Sequence, residues 1–378
     1  MFKFELLKLF KEKLLWISLA ALMVFNSLFI RVTFFVVDDS QAMRAKAACF
    51  GEINSNNVSA VLERKNSLED KVLNGVFSIE YDETLYTGYE FSEYWTFNEI
   101  FQEMKRRYEY GEMMEKKASI CLENAEYYKK RNTGLYKFNL KLAKNFSGRK
   151  ITEYYDTRNL ELFLNYDVGV VCALAFMMVA MTLSFDRERR KNTAGIIGSC
   201  VETLNGICVI KIFVCIFVTI VGYLAIETAT AVSFGIIDYP RQLLLPLYSI
   251  NGFEMTYTND SIMGFIVKRF FVRSLAVIDI GAVFFVLIKF IKNRYLLLVA
   301  MLSTCVAMIG FARVSAMGFN PVVGLGITNL VRESRNTELL GMKFLGARTI
   351  VIGMVVESTF LFGVAMLYGK LGSNRKCF

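Results

Sequence analysis

Six runs of apolar residues limit what this chain can fold into. They cover residues 14–37, 168–185, 207–237, 270–288, 295–311 and 348–369. A helix needs about 20 apolar residues to cross the hydrocarbon core of a bilayer, and each run matches or approaches that length. The third is longer, at about 30 residues, and is expected to tilt or to protrude. Composition agrees: 54% of the 378 residues are hydrophobic, with 33 Phe and 18 Tyr, against roughly 45–50% apolar residues in soluble domains. Mean hydropathy is +0.39. Only 3 Pro occur, which suits long helices. The expected fold class is an all-α integral membrane protein. It has six transmembrane helices, an N-terminal amphipathic elbow helix and a mainly helical extracellular domain.

The elbow is residues 1–13, MFKFELLKLFKEK. Leu6, Leu7, Phe10 and Leu14 share one helical face, while Lys3, Lys8, Lys11 and Lys13 fall mostly elsewhere, the pattern of a helix lying on cytoplasmic headgroups. The alternative is the basic start of a signal peptide, with Ala45-Lys46-Ala47 as a cleavage site. The apolar run that follows, at about 24 residues, outruns a signal core of about 7–15 and favours an uncleaved anchor.

Residues 38–167 are richer in charge and hold no run long enough to span. Up to about Tyr94, strand-like pieces such as Val76–Tyr81 alternate with polar loops. From Phe101 to Tyr128, Met104, Met114, Ala118, Cys121 and Ala125 recur at helical steps. A break at Asn132-Thr133-Gly134 precedes a second helix carrying Leu135, Phe138, Leu142 and Phe146, so a helical hairpin is expected. This region is a spacer or a docking cap. Cys49 and Cys121 could pair there, or stay as free thiols.

Short basic flanks set the expected orientation. With the N-terminus inside, the cytoplasmic segments are 1–13, 186–206, 289–294 and 370–378, holding Arg187, Arg189, Arg190, Lys191, Lys289, Lys292, Arg294, Lys370, Arg375 and Lys376. Residues 38–167, 238–269 and 312–347 are then extracellular. Lys268, Arg269, Arg273, Arg332, Arg335 and Arg348 do not fit this scheme, since it leaves them outside.

The net charge of +9 lies mostly next to apolar runs, which suits anionic lipid headgroups and argues against nucleic-acid binding. The chain has no His, which removes the commonest general base and metal ligand. Its 8 Cys form no C-x-x-C. It has no G-x-x-x-x-G-K-[ST] to cradle nucleotide phosphates and no G-x-S-x-G. The expectation is a non-enzyme with no metal site and no cofactor of its own.

Between the second and third runs lies Asp186–Lys211, DRERRKNTAGIIGSCVETLNGICVIK. Its basic opening leads into an amphipathic stretch, Thr193–Leu204, bounded by Gly195 and Gly206. Glu188, a glycine at Gly195 or Gly198, and Lys211 at the start of the next span resemble the permease subunits of ABC-2-type ABC transporters. The lead-in Asn159–Asp167, NLELFLNYD, is similar to members from Gram-positive bacteria. The resemblance implies a cytoplasmic coupling element made of Glu188, Arg189, Arg190, Lys191, Gly195, Gly198 and Lys211. It implies a separate cytoplasmic ABC ATPase that binds ATP and Mg, and a second permease subunit, the same or related. It implies a short re-entrant helix pair within 312–347 and export of a peptide or amphiphile.

Three acids lie within runs: Glu227, Asp279 and Glu357. A carboxylate in hydrocarbon costs about 2.5–3.5 kcal/mol on insertion scales, so these are candidates for a translocation path. Glu227, near an outer end, could instead reach headgroup water. Three rivals follow. A mechanotransmission permease has an extracellular domain after its first span but usually four spans. A membrane sensor or immunity protein transports nothing. A proton-coupled carrier would use the three acids without any ATPase.

Overall fold

A computed structural model describes residues 1–35, 45–76, 89–190, 201–238, 240–291, 293–314, 325–332, 336–339 and 342–345, with single positions and short stretches between 352 and 363. In chain order the helices are α1 (Phe2–Phe10), α2 (Lys13–Phe34), α3 (Ser55–Val76), α4 (Tyr89–Tyr128), α5 (Thr133–Phe146), α6 (Arg158–Asn165), α7 (Val168–Arg190), α8 (Val201–Ser233), α9 (Ile262–Phe290), α10 (Arg294–Val314) and α11 (Ile327–Arg332). Two small antiparallel pairs join β1 (Gly51–Glu52) to β2 (Glu153–Tyr154) and β3 (Asn336–Leu339) to β4 (Met342–Leu345). The chain divides into two compact units, one of residues 1–34, 162–240 and 263–378, the other of 35–161 and 241–262.

The first unit holds the apolar helices. Four stretches among the described residues are long and apolar enough to cross a bilayer: Lys13–Phe34, Arg158–Phe185, Val209–Ser233 and Ile262–Ile288. This fits a membrane-embedded protein. The fifth expected span corresponds to the shorter apolar stretch Tyr295–Ile309 of α10, and most of the sixth, 348–369, falls outside the described residues. The core is a seam of α7, α8 and α9, in which Ala173, Phe176, Met177, Cys215, Val218 and Ile280 are buried. Phe213, Phe217, Val221, Leu224, Phe271 and Val299 are exposed instead. An apolar exterior of that extent suits a lipid solvent.

Glycine sets the closest approach in this seam. A Cβ on Gly222 would lie 2.4 Å from Cε1 of Phe176, so α7 and α8 meet with a ring seated directly on backbone. The elbow helix is present as α1 and packs on α7 and α8. Its buried seam differs from the expected face: Leu9 is buried, Leu6 and Phe10 pack on the core, and Leu7 and Leu14 are exposed.

The second unit is mainly helical. α4 and α5 form the expected hairpin, and Asn132 caps α5 by accepting a hydrogen bond from the Leu135 amide at 3.1 Å, the standard role of an N-cap carboxamide. Tyr110, Met114, Ala118, Phe146 and Ile151 form one buried cluster; Val61, Ile100, Met104 and Tyr154 form another. Residues 55–76, expected as strands and loops, are helix α3, because Val58, Val61, Leu68 and Val72 recur at helical spacing. The Val76–Tyr81 strand piece lies outside the described residues beyond Val76.

Segment 241–262 belongs to this unit. Arg149 is its clamp: Nη1 donates to the Thr256 carbonyl at 2.7 Å, Nη2 to that of Thr258 at 3.1 Å and Nε to Asn259 Oδ1 at 2.9 Å. Tyr110 donates to the Glu254 carbonyl at 2.8 Å and stacks on Tyr248. The free cysteines include Cys49 and Cys121, so the alternative of a disulfide between them is not realised. Two further boundaries differ from expectation. The extracellular loop assigned to 238–269 ends at Ile262, where α9 begins. Within 312–347, a short helix α11 precedes the β3–β4 hairpin where two short helices were expected.

Candidate functional site

A charge in the middle of an apolar helix must find its counter-ion and acceptors inside the protein. Helix α9 carries two buried arginines, Arg269 and Arg273. Four residues apart, they share a face, and their exposures are 1% and 0%. Their acceptors come from a break in the second apolar stretch. Tyr166 and Asp167 are non-helical and separate α6 from α7, so carbonyls at the end of α6 lack helical partners.

The Tyr166 carbonyl takes two of these donors: Arg269 Nη2 at 2.7 Å and Arg273 Nη1 at 3.2 Å. A cation at a helix C-terminus is also favoured by the helix dipole. Arg269 Nη1 donates to Glu227 Oε1 at 3.0 Å, and Arg273 Nη2 donates to the carboxylate of Asp167. Arg273 Nε donates to the Leu325 carbonyl at 2.9 Å, and the Arg269 guanidinium lies 5.0 Å from the centre of the Phe163 ring. Two cations thus meet two anions, and the pair of charged groups is balanced.

Neutral groups extend the network to α2. The Tyr166 hydroxyl donates to Asn26 Oδ1 at 2.7 Å, and Asn26 Nδ2 donates to Thr230 Oγ1 at 2.8 Å. Thr230 passes its own proton to the Ile226 carbonyl at 2.8 Å. Asn26 and Thr230 are fully buried. Gly169 lies beside them: a Cβ there would stand in ordinary contact with Thr230 Oγ1 at 3.4 Å and Glu227 Oε2 at 3.5 Å. One polar chain therefore ties α2, the α6–α7 break, α8 and α9.

Of the expected path residues, only Glu227 belongs to this network. It lies in the last two turns of α8, buried and bound to Arg269. Asp279 is buried on α9, two turns beyond Arg273, and Glu357 is half-buried in a helical stretch, 354–357. Among the coupling residues, Glu188, Arg189 and Arg190 continue the backbone of α7. Lys191, Gly195 and Gly198 lie outside the described residues, as does the 193–200 part of the expected amphipathic stretch; Val201–Leu204 form the first turn of α8. Lys211 sits well inside α8 and is buried, its Nζ 3.2 Å from the Ser184 carbonyl.

Sequence reasoning assigns no site role to Asn26, Thr230, Arg269 and Arg273, and singles out Tyr166 and Asp167 only as the end of the segment NLELFLNYD. The signal for the arginines was in plain sight: two cations four apart inside an apolar stretch, matched by acids in two other stretches. Among the described residues, no cluster of His, Cys, Asp or Glu could hold a metal ion. No protein-family model matches this chain, and no curated protein or solved structure matches it either.

Proposed function

We propose that the chain is the permease subunit of an ABC-2-type ABC transporter, embedded in the cell membrane with both termini cytoplasmic and exporting a peptide or amphiphile. A separate cytoplasmic ABC ATPase, binding ATP and Mg, supplies the energy, and a second permease subunit completes the pathway. The observation that carries this reading is the continuity of α7. It runs as one helix from Val168 to Arg190. Its first end adjoins Asp167, which is held by Arg273, and its last turns carry Arg187, Arg189 and Arg190. A push on the basic end is transmitted by a rigid rod to an ion-paired break. There, exchange of partners between two arginines and two acids could gate a path.

Connectivity supports the sidedness. Segments 35–161 and 241–262 form one unit, and each lies between consecutive apolar stretches. A chain that crosses at each stretch puts both segments on one side and the Arg190 end of α7 on the other. Arg187, Arg189 and Arg190 at that end support a cytoplasmic side for it.

The test is affinity purification of the tagged chain from its native membranes. A partner bearing a G-x-x-x-x-G-K-[ST] motif is expected, and it should be lost when Arg189 and Arg190 are replaced by Glu. A chain that purifies without such a partner is not this kind of permease. A mechanotransmission permease is the second reading, favoured by the count of four long apolar stretches among the described residues. Cysteine accessibility across 295–311 and 348–369 separates the two.

A further inference from the structure

Residues 127–152 contain no Asp or Glu and eight Lys or Arg. Three of these lie on helix α5. Lys137, Lys141 and Lys144 follow at steps of four and three, so they share one helical face, and all three are exposed. The opposite face is used inside the second unit. Ala143 and Phe146 are buried, and Leu142 packs on the cluster of Tyr110, Met114 and Ala118.

Helix α5 has no acid of its own. Among the described residues, none of its three lysines has an ion-pair partner. Other lysines of this unit differ. Lys105 pairs with Glu109 at 3.9 Å, Lys116 with Glu112 at 2.9 Å and Lys129 with Glu126 at 2.8 Å. Like charges at helical steps of three and four repel one another, so the α5 row carries a cost that an external anion would relieve.

We propose that this face of α5 is a docking surface for an extended acidic peptide whose carboxylates recur at alternate positions. Spacing supports this choice. A helical rise of about 1.5 Å per residue puts neighbouring lysines of the row about 4.5–6 Å apart along the axis. Alternate residues of an extended chain stand about 6.6 Å apart on one side, and the flexible lysine stem absorbs the difference. Charge distribution favours a peptide over a membrane. Helix α4, on which α5 packs, carries nine Glu against five Lys or Arg. An anionic bilayer would face both helices across a plane and be repelled by α4, whereas a single extended chain can follow α5 alone. The inference is independent of the permease reading.

The test uses the full-length protein in phosphatidylcholine nanodiscs and the fluorescence anisotropy of a labelled peptide of alternating Glu and Ser. The peptide should bind at low ionic strength and be released in about 1 M salt, where the Debye length falls to about 3 Å. An exposed ion pair is worth about two- to threefold in affinity. Lys137→Gln, Lys141→Gln and Lys144→Gln together should therefore weaken binding by about tenfold. Lys105→Gln, Lys116→Gln and Lys129→Gln together remove lysines that already have acids and should change it by less than about threefold. Lys137→Glu with Lys141→Glu should instead bind a peptide of alternating Lys and Ser, a gain that loss of folding cannot produce. No binding of the Glu-Ser peptide, equal losses in the two triple variants, no gain in the charge-reversed variant, or displacement of the peptide by phosphatidylglycerol vesicles would each overturn the proposal.

Discussion

Arg269 of α9 and Glu227 of α8 form an ion pair of 3.0 Å with side-chain exposures of 1% and 10%. Both side chains are largely withdrawn from solvent. Removing one partner of a buried pair leaves an uncompensated charge and costs about 3–5 kcal/mol. Glu227→Leu or Arg269→Met alone should therefore lower the thermal unfolding midpoint in detergent clearly. The apolar double replacement, Glu227→Leu with Arg269→Met, should be less damaging than the two single losses combined. Purely additive losses would mean that the two side chains do not interact.

The contact between Phe176 and Gly222 gives a steric prediction. A methyl placed 2.4 Å from the ring edge forces either the ring or α8 to move, and overpacking of this kind costs about 1–3 kcal/mol. Gly222→Ala should lower thermal stability, and Phe176→Leu should restore much of the loss in the double variant. Gly222→Ala with unchanged stability would show that α7 and α8 are not so close.

Much of the helical unit was legible in the sequence, and the reason is periodicity. The hairpin of α4 and α5 followed from Met104, Met114, Ala118 and Phe146 at helical steps with a turn at Asn132. Helix α3 was not legible, because its apolar positions are diluted by Asn, Ser, Glu and Lys. The ion-paired network was missed for a different reason. A rule that counts cations near span ends leaves Arg269 and Arg273 as misfits on the outer side; that rule carries no information on which charges are paired in the interior. The start of the second span at Val168 was legible and coincides with the start of α7; that the Tyr166 carbonyl and the Asp167 carboxylate just before it meet two arginines was not.

Tyr110 gives the second unit an alkaline limit. Burial pushes its phenol up from 10.0 to about 12, with Arg149 partly opposing the shift. A raised folded value means that the folded state keeps a proton the unfolded chain has lost. The stability contribution is full below pH 10 and declines as pH rises towards 12. Alkaline unfolding should accordingly begin above pH 10, with tyrosinate absorbance rising in step. Tyr110→Phe should make the decline shallower. An early, reversible tyrosinate signal from Tyr110 below pH 10 would contradict the burial.

Arg149 holds segment 241–262 through three hydrogen bonds to Thr256, Thr258 and Asn259. Arg149→Ala should expose that segment to limited proteolysis. Arg149→Lys should protect it only weakly, because an ammonium cannot reproduce the forked geometry. Equal cleavage rates in all three proteins would remove Arg149 from this role.

The central claim is that force from a cytoplasmic ATPase enters through the basic end of α7 and the residues that follow it. The most direct measurement is site-specific photo-crosslinking in native membranes, with the reactive side chain placed at Gly195 and, as the opposing control, at Glu254. The account predicts that Gly195 crosslinks to a nucleotide hydrolase carrying a phosphate-binding loop and that Glu254 does not. Crosslinking of the hydrolase from Glu254, or none from Gly195, would contradict it.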